Sequence, residues 1–310
     1  MDKSKYLPII SGIIFSSVFG FSFLFTKNAL DVVNPFHLLG FRFGLAALFF
    51  TILYFLNMFK LNYKNKNLKL LFVLAFMQPV IYFVCETMGI NLTTSAEAGL
   101  MISLIPVFVV ILSSIFLKEK PTKLQLISVI LSVIGVVFII IMRESLEVQG
   151  NYWGLVFLFG AVIAGAGFST LSRKLSLDFT PQEITFIMMW FGAIIFNIIG
   201  LIEYNGDYMH YFMELANTEV LISVIYLGIF SSVIAFFMLN YTLSRIDSFK
   251  AAVFANLSTI IAIFAGIVFR GEPFYWFQIV GSIMIITGVF GTNYFDTKKK
   301  FDAKKKKVNK

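Results

Sequence analysis

Two ionisable side chains stand inside apolar stretches of this 310-residue chain, where a charge is costly unless it faces protein, water or a partner. Arg42, in LLGFRFGLAALFF, admits two roles. It meets an anionic group of a bound solute, or it pairs with carboxylates or carbonyls of neighbouring helices and fixes their packing. A long arginine can also snorkel towards the nearer interface. Glu86, in VIYFVCETMG, is the one carboxylate that clearly belongs to its apolar run. Buried, such a carboxyl can take up and release a proton, as an ion-coupled carrier requires; at an interface it does neither.

Gln78, Tyr82, Trp190, Asn240 (with Tyr241), Asn256 and Ser258 stand at similar depth in other runs. They supply either the directed hydrogen bonds of a pocket with aromatic walls or the interhelical ties that polar residues make in membranes. Pro79 and Pro106 each remove a backbone donor, and so each loosens a helical turn near the middle of its run.

No pattern points to a catalytic residue, a cofactor or a metal. The chain has no G-x-x-x-x-G-K-[ST] and no G-x-S-x-G, so neither ATP-driven nor serine-esterase chemistry is indicated. His37 and His210 are the only histidines and lie in no Cys/Asp/Glu cluster, while Cys85 stands alone and can form no intrachain disulfide. A membrane enzyme would gather its polar groups at one membrane face. A lipid translocase would offer a lateral groove.

The elements that must position these residues follow from composition. With 58% hydrophobic and 14% charged residues and a mean hydropathy of +0.86, the chain has too few charges to cover a water-soluble core. Polar breaks delimit ten apolar runs: 7–26, 36–56, 68–88, 95–117, 124–142, 152–172, 181–202, 219–241, 248–269 and 274–294. Each is near the length that spans a bilayer core as a helix, and none alternates as barrel strands do. The expected fold is an all-α polytopic membrane protein of ten transmembrane helices. The first run follows Lys3 and Lys5, yet it is long and lacks a small-x-small cleavage site, so it reads as a retained helix rather than a signal peptide.

The net charge of +8 is no nucleic-acid signature, because eight lysines lie in the tail FDTKKKFDAKKKKVNK, residues 295–310. Such a segment beside a helix is attracted to anionic lipid headgroups. With the amino terminus in the cytoplasm, the tail and the even-numbered turns place 21 of the 25 basic residues inside. Outside remain Lys27, Arg143 and Arg270, and the long connection 203–219 has four acids and no Lys or Arg. This is the positive-inside asymmetry, with both termini cytoplasmic, as expected of a bacterial-type plasma membrane protein.

The chain also repeats itself. A shift of 153 residues, without gaps, aligns Phe116 with Phe269, Glu119 with Glu272, Gln125 with Gln278, Gly135 with Gly288 and Ser95 with Ser248. Near the starts, GFSFLFTK (20–27) echoes GFSTLSRK (167–174). The units are 8–142 and 152–294, each of five helices. Because five is odd, the two copies have opposite membrane orientation, the arrangement by which secondary transporters alternate access to a central site. Pro79 and Pro106 align with Ser232 and Thr259. Thr94–Glu97 and Thr180–Glu183 have the capping-box pattern, and Asp247 keeps a capping acid at the start of the ninth run. Glu119 and Glu272 each precede a helix, where a carboxylate favours the positive dipole end. Gly40-x-x-x-Gly44 and GAVIAGAGFS permit close helix contact.

Two five-helix units, each ending in an acidic turn and a Gln- and Gly-containing helix, with the arginine of LLGFRFGLAALFF in the second helix, resemble the EamA family of the drug/metabolite transporter superfamily over residues 8–294. The resemblance implies a central cavity lined mainly by helices 1–4 and 6–9, with helices 5 and 10 peripheral. It also implies secondary transport, with export of a metabolite or amino acid as the family-level expectation. Arg42 has no counterpart in the second copy, where the matching stretch reads ITFIMMWFGAIIFN.

Overall fold

The computed structural model describes residues 3–92, 101–143, 152–203, 207–270 and 274–308, and among them every regular element is helical. The helices are α1 (Lys3–Leu30), α2 (Pro35–Phe55), α3 (Leu68–Ala75, continuing through Phe76–Ile81 into Tyr82–Leu92), α4 (Ile105–Phe116) and α5 (Lys123–Arg143). They continue as α6 (Tyr152–Leu175), α7 (Pro181–Glu203), α8 (Thr218–Ile225, Tyr226–Ala235 and Phe236–Arg245), α9 (Ser248–Phe254 and Leu257–Arg270) and α10 (Trp276–Val308). A short helix, Tyr208–Met213, and a single 3-10 turn, Glu214–Ala216, lie between α7 and α8. Eight of the ten are long and apolar enough to cross a membrane; α4 and the apolar part of α5, Lys123–Ile139, are shorter. The fourth expected run, 95–117, is described only from residue 101.

Local sequence explains where several helices begin. Asn34 accepts a hydrogen bond from the Phe36 amide at 2.9 Å, with Pro35 at the first helical position. At α7 the expected box forms: the Thr180 amide donates to Glu183 Oε2 at 2.8 Å and the Glu183 amide to Thr180 Oγ1 at 3.3 Å. The same device opens α5, where the Thr122 amide donates to Gln125 Oε1 at 2.9 Å. Its repeat partner opens α10, where the Tyr275 amide donates to Gln278 Oε1 at 2.9 Å. The box expected at Thr94–Glu97, and Glu272, lie outside the described residues.

Two expectations need correction. Asp247 makes no capping hydrogen bond; it pairs with Lys250 one turn on. Glu119 does not start the helix that follows it. It reaches across to α9, where its Oε2 accepts from the Ser248 amide at 2.9 Å and from the Ser248 hydroxyl at 2.7 Å. The cap of α9 is thus borrowed from a turn more than a hundred residues away, because Asp247 is occupied by a lysine and Glu119 has no competing role at α5.

Helix pairing follows a simple rule. α5 packs against α10, α2 against α7, α1 against α8 and α9, and α6 against α3 and α4. Exchanging each helix with the one five places on leaves this set of pairs unchanged. The helices that pair with their own counterparts, α5 with α10 and α2 with α7, run antiparallel. A Cβ on Gly135 would stand 2.8 Å from the Gly281 carbonyl oxygen, and one on Gly288 would stand 2.5 Å from that of Ser128, so numbers rise on α5 as they fall on α10. On α2 and α7, Phe43 stacks on Phe196 while Phe50 meets Phe186, the same sense of crossing.

The outward faces of α5 and α10 carry exposed Ile127, Ile130, Ile134, Ile283, Ile286 and Phe290, a surface suited to hydrocarbon and to a peripheral position. The largest buried cluster instead joins α2, α3, α6, α7 and α8, around Phe43, Phe168, Phe196 and Phe236.

Both helices that carry the expected prolines are distorted, and so are their partners in the second half. α3 opens into a wide turn over Phe76–Ile81, with Gln78 non-helical, and α8 opens over Tyr226–Ala235. α4 is preceded by a turn at 103–104 and α9 is broken by one at 255–256. Pro106 therefore sits in the first turn of a helical segment, where its missing donor costs nothing, rather than in the middle of a helix. α8 and α9 have no proline at these places, so proline is not the sole cause of the irregularity.

Candidate functional site

The wide turn of α8 and the segment of α3 that follows its own wide turn face the one arginine of α2. Arg42 is buried, and its Nε donates to Ser232 Oγ at 2.8 Å while Nη2 donates to Ser231 Oγ at 3.0 Å. Its guanidinium also lies over the rings of Phe83, 5.0 Å from the centroid, and Phe43, at 5.4 Å. Among the described residues no carboxylate comes within ion-pair distance of it. Two neutral hydroxyls and two phenyl faces thus hold a full cation, and Nη1 makes no hydrogen bond to a described residue.

Glu86 lies one turn beyond Tyr82, whose hydroxyl donates to Glu86 Oε1 at 3.0 Å. Glu86 and Arg42 are close enough for their charges to act on each other without touching. Tyr82 and Glu86 are only half-buried, so the acid and its phenol keep accessible surface. A cation from α2, an acid and a phenol from α3, and two hydroxyls from α8 therefore converge, and the set draws on both halves of the chain. Such a group of residues can bind an anionic moiety at Arg42 and exchange a proton at Glu86.

The remaining candidates scatter. Gln78 is buried in the wide turn of α3, and Pro79 beside it fits against α7, where a Cβ on Gly192 would meet its ring at 2.8 Å. Trp190 donates from Nε1 to Thr51 Oγ1 at 3.0 Å and ties α7 to α2. Asn240, fully buried, accepts from Ser172 Oγ at 2.7 Å and donates to Thr185 Oγ1 at 3.0 Å, which joins α8 to α6 and α7. Asn256 donates to Ser132 Oγ at 3.0 Å, linking α9 to α5. Ser258 returns its hydroxyl to the Ala255 carbonyl at 2.6 Å in the break of α9. Trp190, Asn240 and Asn256 are interhelical ties, the alternative their chemistry always allowed.

Sequence reasoning passed over the partners of Arg42. Ser232 stands out there only as the place matching Pro79 and Ser231 not at all, although a pair of hydroxyls in the middle of an apolar run is itself a signal. It also passed over two charged junctions. Besides capping α9, Glu119 accepts from Arg173 Nε at 3.3 Å, and Arg173 Nη1 donates to the Leu243 carbonyl at 3.0 Å, so one carboxylate joins the ends of α6, α8 and α9. Glu183 accepts from Lys66 Nζ at 2.6 Å and from the Asn62 amide at 2.8 Å, and the Tyr63 hydroxyl donates to the Glu183 carbonyl at 3.0 Å. Burial and the nearby Glu183 charge push the Tyr63 phenol up, so it stays a donor at neutral pH.

A cavity of about 490 Å³ opens between α1 and α9, lined by Phe21, Leu24, Phe25, Asn28 and Phe269, and shares no residue with the Arg42 site. No group of three metal-ligating side chains occurs among the described residues.

Eight apolar helices of spanning length and a charged site at the meeting of three of them define a multi-pass helical membrane protein. The EamA-like transporter family model matches the chain twice, over residues 7–141 and 152–294. A relative from Bacillus subtilis, described as the uncharacterized transporter YcxC, is 34% identical over 300 residues, covering 94% of this chain and 95% of its own. An uncharacterized transporter of Archaeoglobus fulgidus is 27% identical over 272 residues, covering 87% and 93%. A solved crystal structure aligns with a TM-score of 0.73 at 17% identity, covering 92% of this chain and 97% of that one, which supports the fold alone. The chain belongs to the EamA-like transporter family, within the drug/metabolite transporter superfamily, and is a membrane transporter.

Proposed function

We propose that this protein is a secondary transporter that moves small organic metabolites by alternating access, with export as its working direction and no enzymatic activity. The observation that carries the reading is Arg42: a buried cation that no carboxylate among the described residues pairs, held where both halves of the chain meet. Such a charge is retained in lipid only for a purpose, and an anionic group on the solute supplies the missing partner. Glu86, half-buried and bonded by Tyr82, is the proton-coupling group.

In this reading all ten helices cross a bacterial-type plasma membrane, with both termini in the cytoplasm. Residues 8–142 and 152–294 form two inverted five-helix repeats, and the tail 295–310 lies against anionic lipid headgroups; no nucleic acid is involved. The interchangeable helix pairs and the antiparallel crossing of α5 with α10 support inversion, because equivalent helices can run antiparallel only if their parent units point opposite ways. The wide turns in α3 and α8, the turn before α4 and the break in α9 give each half irregular backbone at matching sequence positions, where bending can occur.

Purified protein in liposomes, loaded with metabolites identified by profiling the medium of cells with and without it, tests the reading directly. Solute efflux that responds to an imposed proton gradient is the expected result. An absence of flux for every metabolite that differs between the two media would overturn it.

A further inference from the structure

At the far end of α2 from the Thr51–Trp190 tie, the α7–α8 connection is pinned to the bundle. Tyr211 of the short helix is fully buried in the seam between α2 and α7, and its hydroxyl donates to Asn197 Oδ1 at 3.1 Å. The seam admits it because Gly40 and Gly200 line the slot; a Cβ at Gly200 would stand 2.7 Å from the ring, and one at Gly40 would collide with the hydroxyl. Beside it, edge-on to the Tyr211 ring, lies His37, itself buried.

Both nitrogens of His37 face carboxylates. Nε2 is 2.8 Å from Glu203 Oε2 at the end of α7, and Nδ1 is 3.1 Å from Glu214 Oε1 in the 3-10 turn. A neutral imidazole has one N–H and one lone pair, so it can satisfy only one of these carboxylates and turns a lone pair on the other. An imidazolium donates to both. Among the described residues, Tyr211 is a further titratable group packed against it, and burial together with Glu214 and Glu203 pushes its phenol up. The connection 203–219 contains no Lys or Arg that could replace the imidazolium.

The geometry points to a proton-binding clamp made of His37, Glu203 and Glu214, which fastens the α7–α8 connection to the α2–α7 seam when the imidazole is protonated and loosens it when it is neutral. It is the counterpart of the strap at the opposite end of the same two helices, where Lys66 and Tyr63 hold the α2–α3 connection to Glu183. That strap uses a lysine and the clamp a histidine, the side-chain type suited to a proton-dependent contact. The transporter reading enters only in assigning the side of the membrane from which the proton comes.

Hydrogen exchange of the full-length protein in lipid nanodiscs, read over residues 207–217 and corrected for the intrinsic pH dependence of exchange, tests the clamp. Protection about tenfold greater near pH 5 than near pH 8 is expected, with residues 62–66 unchanged as an internal reference. In Glu214→Gln the neutral imidazole can donate to Glu203 and accept from the amide, so protection should persist at both pH values and its pH dependence vanish. His37→Gln should leave the segment unprotected at both, and His210→Gln should behave as the unaltered protein. Should His37→Gln fail to fold, the isosteric Glu214→Gln decides alone. Protection that does not change with pH in the unaltered protein, a full pH response in Glu214→Gln, or its loss in His210→Gln would each overturn the clamp. None of these outcomes bears on whether solute crosses the membrane, which the liposome assay decides separately.

Discussion

A guanidinium held by two serine hydroxyls behaves differently from one locked in a salt bridge, because neutral donors stabilise the charge without cancelling it. For Arg42 this means that an arriving anion meets a charge that no described carboxylate pairs directly, in a low-dielectric setting. Arg42→Ala should therefore lower transport by about tenfold or more, the loss of one charge-assisted contact, while the protein still inserts and purifies normally. Arg42→Lys should rescue only part of the rate, since an ammonium cannot fork to Ser231 and Ser232 together as the guanidinium does. Normal flux in a normally expressed Arg42→Ala protein would remove it from the solute path. Arg42 and Glu86 both stand out in the sequence as ionisable groups within apolar runs. Their hydroxyl partners do not, because serine in a membrane helix has many uses and only contact reveals which one applies.

Helix packing sets a second group of expectations. α5 and α10 approach so closely at Gly135–Gly281 and Ser128–Gly288 that backbone lies against backbone. Gly288→Val places carbons where the Ser128 carbonyl already sits, and thermal unfolding in detergent should show a loss of about 1–3 kcal/mol, the ordinary cost of overpacking. Glu119→Ala removes the acceptor for the Ser248 amide and hydroxyl and the partner of Arg173, so a loss of about 1–3 kcal/mol is expected there too. An unchanged melting temperature in Glu119→Ala would show that the junction of α6, α8 and α9 is held by packing alone. The helices themselves were legible as apolar runs, and the Thr180–Glu183 box as a motif. The cap of α9 was not, because its acceptor comes from another turn and no local pattern can announce a partner so distant in sequence. The prolines misled in a similar way: they mark two of four irregular helices, whereas Ser232 and Thr259 occupy the matching places in helices that are distorted without any proline.

For the whole molecule, the decisive expectation is sidedness. In a Cys85→Ser background, single cysteines at Lys64 and Tyr208 should react with an impermeant thiol reagent from opposite sides of the membrane. Labelling from the same side would end the inverted-repeat reading, whatever the transport assays show. Lys64 and Tyr208 belong to the connections that follow α2 and α7, which pack together as antiparallel partners.

The sequence alone determined that the solvent is lipid, that the elements are helices and where most of them run. Those properties depend on composition, run length and register, which are local or periodic quantities. The tertiary structure decided which partner each polar residue meets, because that depends on what faces its side chain across a helix interface. It separated Trp190, Asn240 and Asn256, satisfied by neighbouring helices, from Arg42 and Glu86, which are near each other but unjoined. It also gave His37 its two carboxylates, more than 160 residues away along the chain and within 3.1 Å in space.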